Sequence, residues 1–107
     1  IMLGGTGDRL DGITIHGGNN RGIVLGYSGH RLRNLRLSGM YSWAIDLQQS
    51  YENTIADVNI SRSGGGIRFY NAYRNRVWDT MIGNVGDPIY GSGTGLETTF
   101  TGGTGSE

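Results

Sequence analysis

Apolar and polar positions alternate along this chain in short beats, and the beats repeat. Ile13-Thr14-Ile15, Leu35-Arg36-Leu37 and Val58-Asn59-Ile60 each read apolar, polar, apolar. A second set, Ile23-Val24-Leu25, Ile45-Asp46-Leu47 and Ile67-Arg68-Phe69, has the same spacing. That period belongs to a strand with one face buried and the other wet. No stretch of ten or more residues carries a helical apolar stripe. The connections are turn formers: Gly17-Gly18-Asn19-Asn20, Tyr27-Ser28-Gly29, Ser63-Gly64-Gly65 and Gly83-Asn84.

The beats recur at about 22 residues. Gly22-Ile23, Ala44-Ile45, Gly66-Ile67 and Pro88-Ile89 lie 22 apart, each a small residue or Pro before an Ile. Ile13/Ile15, Leu35/Leu37, Val58/Ile60 and Thr80/Ile82 form a second register. Leu10, Leu32, Ile55 and Val77 form a third, at steps of 22, 23 and 22. A fixed period in this range marks a stacked array, in which each unit buries its apolar face only against its neighbours.

Three beats per cycle predict an all-β chain: a parallel β-helix of about four coils, three strands per coil, with coils about 4.8 Å apart. Parallel crossovers are right-handed. A left-handed β-helix needs a hexapeptide beat, and a leucine-rich repeat needs L-x-x-L-x-L-x-x-N; the chain has neither. The phrase Asn53-Thr54-Ile55-Ala56-Asp57-Val58-Asn59-Ile60, followed by Gly66-Ile67-Arg68-Phe69, resembles the right-handed β-helix of pectate-lyase-type proteins. Pectate and alginate lyases, polygalacturonases, mannuronan C5-epimerases and bacteriophage tailspikes share that fold. The resemblance covers roughly residues 9–93 and specifies packing more than chemistry.

Composition adds boundaries. The chain has 107 residues, 21 of them Gly and one Pro, and no Cys, which excludes disulfides and thiolate metal sites. Residues 1–8 read as an irregular lead-in, 9–93 as the coils, and 94–107 as a Gly/Thr-rich tail or linker. No cap is visible at either end, which points to a segment of a longer parent chain. Open strand edges then favour self-association, with a homotrimer as one form. No signal peptide or membrane span is visible. Net charge is zero, from nine Arg and nine acids. Interspersed charges of this kind argue against nucleic acid as a partner. Arginine forks suit carboxylates, including those of acidic sugars.

Candidate chemistry sits on the outward columns. Asp57 and Asp79 fall on adjacent coils, one strand step of about 5 Å apart. Such a pair suits Ca²⁺, or the acid and nucleophile of a retaining glycosidase. Arg36 stands on the neighbouring column to neutralise a sugar carboxylate, flanked by Asn34 and Asn59. The competing reading makes Asn34, Asp57 and Asp79 turn residues whose side chains cap backbone groups. Tyr70, Tyr73 and Trp78 offer flat faces for sugar rings. They belong to other sheets and turns, so one short ligand is not expected to use both sets. Neither His16 nor His30 has a Ser or Cys partner at motif spacing. Asp46 and Arg68, 22 apart, should form an exposed ion pair. Asn53 and Asn75 should form an asparagine ladder, with Tyr51 stacked on Tyr73. Gly4-Gly5-Thr6-Gly7 and Gly93-Thr94-Gly95 lack the Gly-Lys ending of a phosphate loop.

The resemblance implies a carbohydrate-interacting parent, a tailspike or a secreted polysaccharide lyase, hydrolase or epimerase, in an extracellular, virion or periplasmic setting. The expected partner is a polysaccharide, with no membrane partner and no cofactor other than Ca²⁺; the segment alone is not expected to be active. The alternative is a non-catalytic structural shaft or trimeric spike segment.

Overall fold

The computed structural model describes residues 1–17, 20–92, 98–101 and 104–105. Gly18 and Asn19 of the predicted turn lie outside them, as does the Gly93-Thr94-Gly95 stretch. The strands are β1 (Met2–Leu3), β2 (Arg9–Asp11), β3 (Thr14–His16), β4 (Ile23–Ser28), β5 (Arg31–Ser38), β6 (Trp43–Tyr51), β7 (Thr54–Tyr70), β8 (Asn75–Ser92), β9 (Thr98–Thr101) and β10 (Thr104–Gly105).

Every pairing among them is parallel, and the partners are the residues of the sequence period. Leu10, Leu32, Ile55 and Val77 stand in one register. Ile15, Leu37, Ile60 and Ile82 stand in another. Ile23, Ile45, Ile67 and Ile89 stand in a third. Three sheets therefore run along the stack: a first built on β3 and the second half of β5, a second on β4 and β6, and a third on β2 and the start of β5. β7 and β8 run through all three. The ladders meet in a single core of Ile, Leu, Val and Phe69. Ile89 keeps the register but is 40% exposed, because no further strand of the second sheet covers it among the described residues.

Pairing also reaches into the flanks. Met2 and Leu3, within the predicted lead-in, lie against Val24 and Leu25. Thr98–Thr101, within the predicted tail, pair with Asn75–Trp78 and place Phe100 beside Val77 in register.

Each coil turns its corners on left-handed residues, stacked like the strands. Gly12, Asn34, Asp57 and Asp79 (φ 74°, 57°, 54° and 50°) separate the third sheet from the first. Gly17, Gly39, Arg62 and Asn84 close the first sheet, and Gly7, Gly29, Glu52 and Arg74 open the third, all with positive φ. Gly39 has a second constraint: a Cβ there would lie 2.8 Å from the Gly17 Cα of the coil above. Gly39→Ala is therefore expected to cost about 1–3 kcal/mol, read as a lower urea midpoint. A midpoint equal to the parent's would show that the corner relaxes.

The interior corner before the third sheet is held by the predicted asparagine ladder. The His30 backbone N–H donates to Asn53 Oδ1 (2.9 Å), and the Asn53 N–H to Asn75 Oδ1 (3.0 Å). The Asn53 amide also donates to Ser50 Oγ (2.7 Å) and to Asn75 Oδ1 (2.9 Å). His30 is the rung one coil earlier. Its Nδ1 accepts from the Asp8 N–H (3.3 Å), as an Asn oxygen would, and its Nε2 lies 2.6 Å from the Gly26 carbonyl. Those contacts assign the proton to Nε2. His30 is fully buried and completes a backbone turn. Tyr51 and Tyr73 stack beside the ladder at 5.2 Å and 19°.

Candidate functional site

The corner between the third and first sheets gathers most of the predicted site. Asn34, Asp57 and Asp79 hold it with positive φ, as turn residues do, but none of their side chains caps a backbone group among the described hydrogen bonds, and all three face solvent. Asn and Asp tolerate the left-handed region better than other side-chain-bearing residues, so the backbone requirement itself produces a column of exposed acids and amides. Arg36 and Asn59 follow two residues later, side by side in the strand register. A recess of about 210 Å³ is lined by Asn34, Arg36, Asp57, Asn59, Asp79 and Met81 together with the backbone of the strands. The five polar residues chosen from sequence thus share one depression, with Met81 as an apolar neighbour the sequence reading did not select.

A larger groove, about 460 Å³, lies on the other side of the same corner and shares Asp57. Its geometry follows from one column, Arg33, Ala56 and Trp78, on three successive coils. Ala56 is the short member between two long ones, so it forms the floor, and Arg33 and Trp78 form the walls. Arg31 and Thr54 line one flank. Trp78 is therefore not on a separate surface from the acids, contrary to the sequence expectation. Because the corner is only one residue wide, the two recesses meet at Asp57. Tyr70 and Tyr73 do lie elsewhere: Tyr70 on the outer face of the second sheet, and Tyr73 in the stack against Tyr51.

Charge on this face is less evenly mixed than in the sequence. Arg9, Arg31, Arg33 and Arg76 all stand exposed on the third sheet, and Arg36 stands just past the corner. None has a carboxylate within 4.0 Å among the described residues. Asp11 is the acid on that sheet, and Asp57 and Asp79 are the acids at the corner. A net-neutral chain thus carries a locally basic groove.

For Ca²⁺, the pair Asp57 and Asp79 supplies at most four oxygens, short of the roughly six to eight the ion takes. Among the described residues, no group of three or more His, Asp or Glu side chains is assembled to hold a metal. The two carboxylates fit the ion only with help from Asn34 or Asn59 carbonyls or from a ligand's own oxygens.

Two further arrangements differ from expectation. His16 Nδ1 lies 2.8 Å from Ser38 Oγ, an exposed pair one coil apart. Coil spacing, rather than motif spacing, is the signal that finds it. No third side chain orients this imidazole among the described hydrogen bonds. Asp46 and Arg68 do meet, but the pair is not exposed. Asp46 is 0% exposed and receives a fork from Arg68, Nε to Oδ1 and Nη2 to Oδ2, both at 2.8 Å. Gln48 donates to Oδ2 at 3.0 Å, and Arg21 lies 3.4 Å away. The hydrogen bond to Asp46 raises the Arg68 pKa above the ordinary guanidinium value, against the opposing effect of burial. Side chains long enough to roof a short Asp account for its burial on an outward column.

A stack of parallel three-strand coils with corner residues in the left-handed region, a single apolar ladder core and an asparagine ladder defines a β-helix protein. The chain belongs to the family described as right-handed β-helix region, whose sequence model matches residues 1–102. No curated protein and no solved structure matches the chain.

Proposed function

We propose that this β-helix binds a polysaccharide, and an acidic one, in the double groove centred on Asp57. The observation that supports the reading most is the junction of the two recesses. Arg33, Trp78 and Arg31 lie on one side, Arg36, Asn34 and Asn59 on the other, with Asp57 between. An indole wall gives a sugar ring an apolar face. Guanidinium forks with no carboxylate partner among the described residues match carboxylates on the chain. Asp57 and Asp79, one strand step apart, are the groups for acid–base work if the chain is processed, or for sharing Ca²⁺ with ligand carboxylates. The fitting parents are a tailspike or a secreted polysaccharide lyase, hydrolase or epimerase, in an extracellular, virion or periplasmic setting.

Calorimetry with polygalacturonate and alginate oligosaccharides, with and without Ca²⁺, tests this. Arg33→Ala or Arg36→Ala is expected to weaken binding about tenfold, the loss of one charge-assisted contact. Asp57→Asn should keep binding and remove any chain processing. Undiminished affinity in the Arg33→Ala/Arg36→Ala double variant, or tighter binding to single-stranded DNA than to either sugar, would overturn the reading.

A further inference from the structure

The outer face of the second sheet holds a group of side chains that the groove does not use. Trp43 lies across Gly65, where its six-membered ring occupies the space any Cβ would need. Gly65 is thus the residue that lets an indole lie flat on the strand. Trp43 meets Tyr90 at 5.9 Å between centroids, tilted by 42°. The Arg68 guanidinium lies 6.0 Å from the Trp43 ring and 5.9 Å from the Tyr70 ring, so it bridges two aromatics while its fork is held by the buried Asp46. Tyr70 and Tyr90 are 47% and 43% exposed.

Three consequences follow. The rings are positioned before any ligand arrives, because the buried ion pair fixes Arg68, and Arg68 lies against two of them. The positive charge at the centre is already matched by Asp46, so an anion gains little there, unlike in the arginine groove. Polar capacity remains at the edge: among the described hydrogen bonds, those of Arg68 use Nε and Nη2 and leave Nη1, and Gln48 gives its amide to Asp46 and keeps its carbonyl oxygen. The platform spans three strands, about 10 Å, and runs along them from the Trp43–Gly65 register to the Gln48–Tyr70 register, five residues or about 16 Å, the footprint of a short oligosaccharide. We propose that Trp43, Tyr70 and Tyr90, set by the Asp46–Arg68 pair, form a second saccharide site, selective for uncharged sugar rings. Their flat apolar faces stack on the aromatics, and their hydroxyls meet Arg68 and Gln48.

The chain has two tryptophans, Trp43 here and Trp78 in the groove, so each site can carry its own reporter. In Trp78→Phe, the Trp43 emission is titrated with cello-, xylo-, manno- and maltohexaose, and with polygalacturonate. A saturable change with at least one neutral hexasaccharide, and a weaker response to polygalacturonate, is expected. Adding Tyr70→Ala or Tyr90→Ala should weaken that binding about three- to tenfold, the worth of one aromatic contact, with circular dichroism unchanged. Three results would each overturn the site: no response to any neutral hexasaccharide, a response that both tyrosine variants leave intact, or a Trp43 change that follows self-association in sedimentation. In Trp43→Phe, the Trp78 emission reports the groove separately, so failure of one site is distinguishable from failure of the other.

Discussion

Arg68→Ala is expected to destabilise the fold by about 3–5 kcal/mol, the cost of stranding a buried charge. Asp46 is fully buried, and both of its oxygens are engaged by Arg68. Removing the guanidinium leaves a carboxylate with Gln48 and, at 3.4 Å, the 39% exposed Arg21. Arg21 screens part of the charge and places the expectation toward the lower end. A denaturant titration gives the loss, and Asp46→Asn in the same chain distinguishes its cause. The double variant has no charge to strand and should recover part of the stability. A single variant within about 1 kcal/mol of the parent, as for a surface pair, would show that the pair is solvated after all. Because Arg68 has its pKa raised, the pair's contribution is fully present below the ordinary guanidinium pKa and is lost only at more alkaline pH.

The fold was legible because coil stacking turns sequence period directly into spatial contact. Ile23, Ile45 and Ile67 are 22 apart in the chain and adjacent in the sheet. The one-residue insertion between Leu32 and Ile55 was legible too, as a step of 23 that the Leu37–Ile60 register shares and the Ile45–Ile67 register does not. Corners were legible only where the left-handed residue is Gly, Asn or Asp. Arg62, Glu52, Arg74 and Gln49 adopt the same backbone with no compositional signal. There the stack imposes the conformation, because Gly39 above Arg62 and Gly29 above Glu52 already turn the same way. The strand pairing within the flanks was not legible for a related reason. Met2-Leu3 and Thr98–Thr101 are too short to show a period alone, and only the neighbouring coil identifies them as strands.

The site was legible by column and not by depth. Asn34, Arg36, Asp57, Asn59 and Asp79 share a recess because they occupy adjacent outward columns, which the period fixes. The larger groove was missed because its defining residue is an alanine. Ala56 has no chemistry of its own, and its effect is the gap it leaves between Arg33 and Trp78. Burial of Asp46 was missed for the converse reason: alternation assigns it outward, and only the reach of Arg68, Gln48 and Arg21 covers it. Likewise Trp43 gains its setting from Gly65 one coil away, a contact no local pattern encodes.

Ile45→Ala is expected to cost about 2–5 kcal/mol, against much less for Val24→Ala. Ile45 lies between Ile23 and Ile67 in the central ladder, and all three are fully buried. Truncation removes three carbons from a position with neighbours above, below and across the core. The parallel strands on either side are fixed by their own ladders, so the cavity cannot close by a local shift. Val24 occupies the outward column of the same sheet, beside Met2 and Asp46, and is only partly covered. Its methyls lose little contact on truncation, and the strand's hydrogen bonds do not depend on them. The two variants sit on neighbouring coils of one sheet, so strand propensity changes similarly in both, and the difference between them reads burial. Equal losses in parallel denaturant titrations would refute the inward and outward assignment of the second sheet, and with it the claim that Asp46, Arg68 and Tyr90 share a column on its outer face.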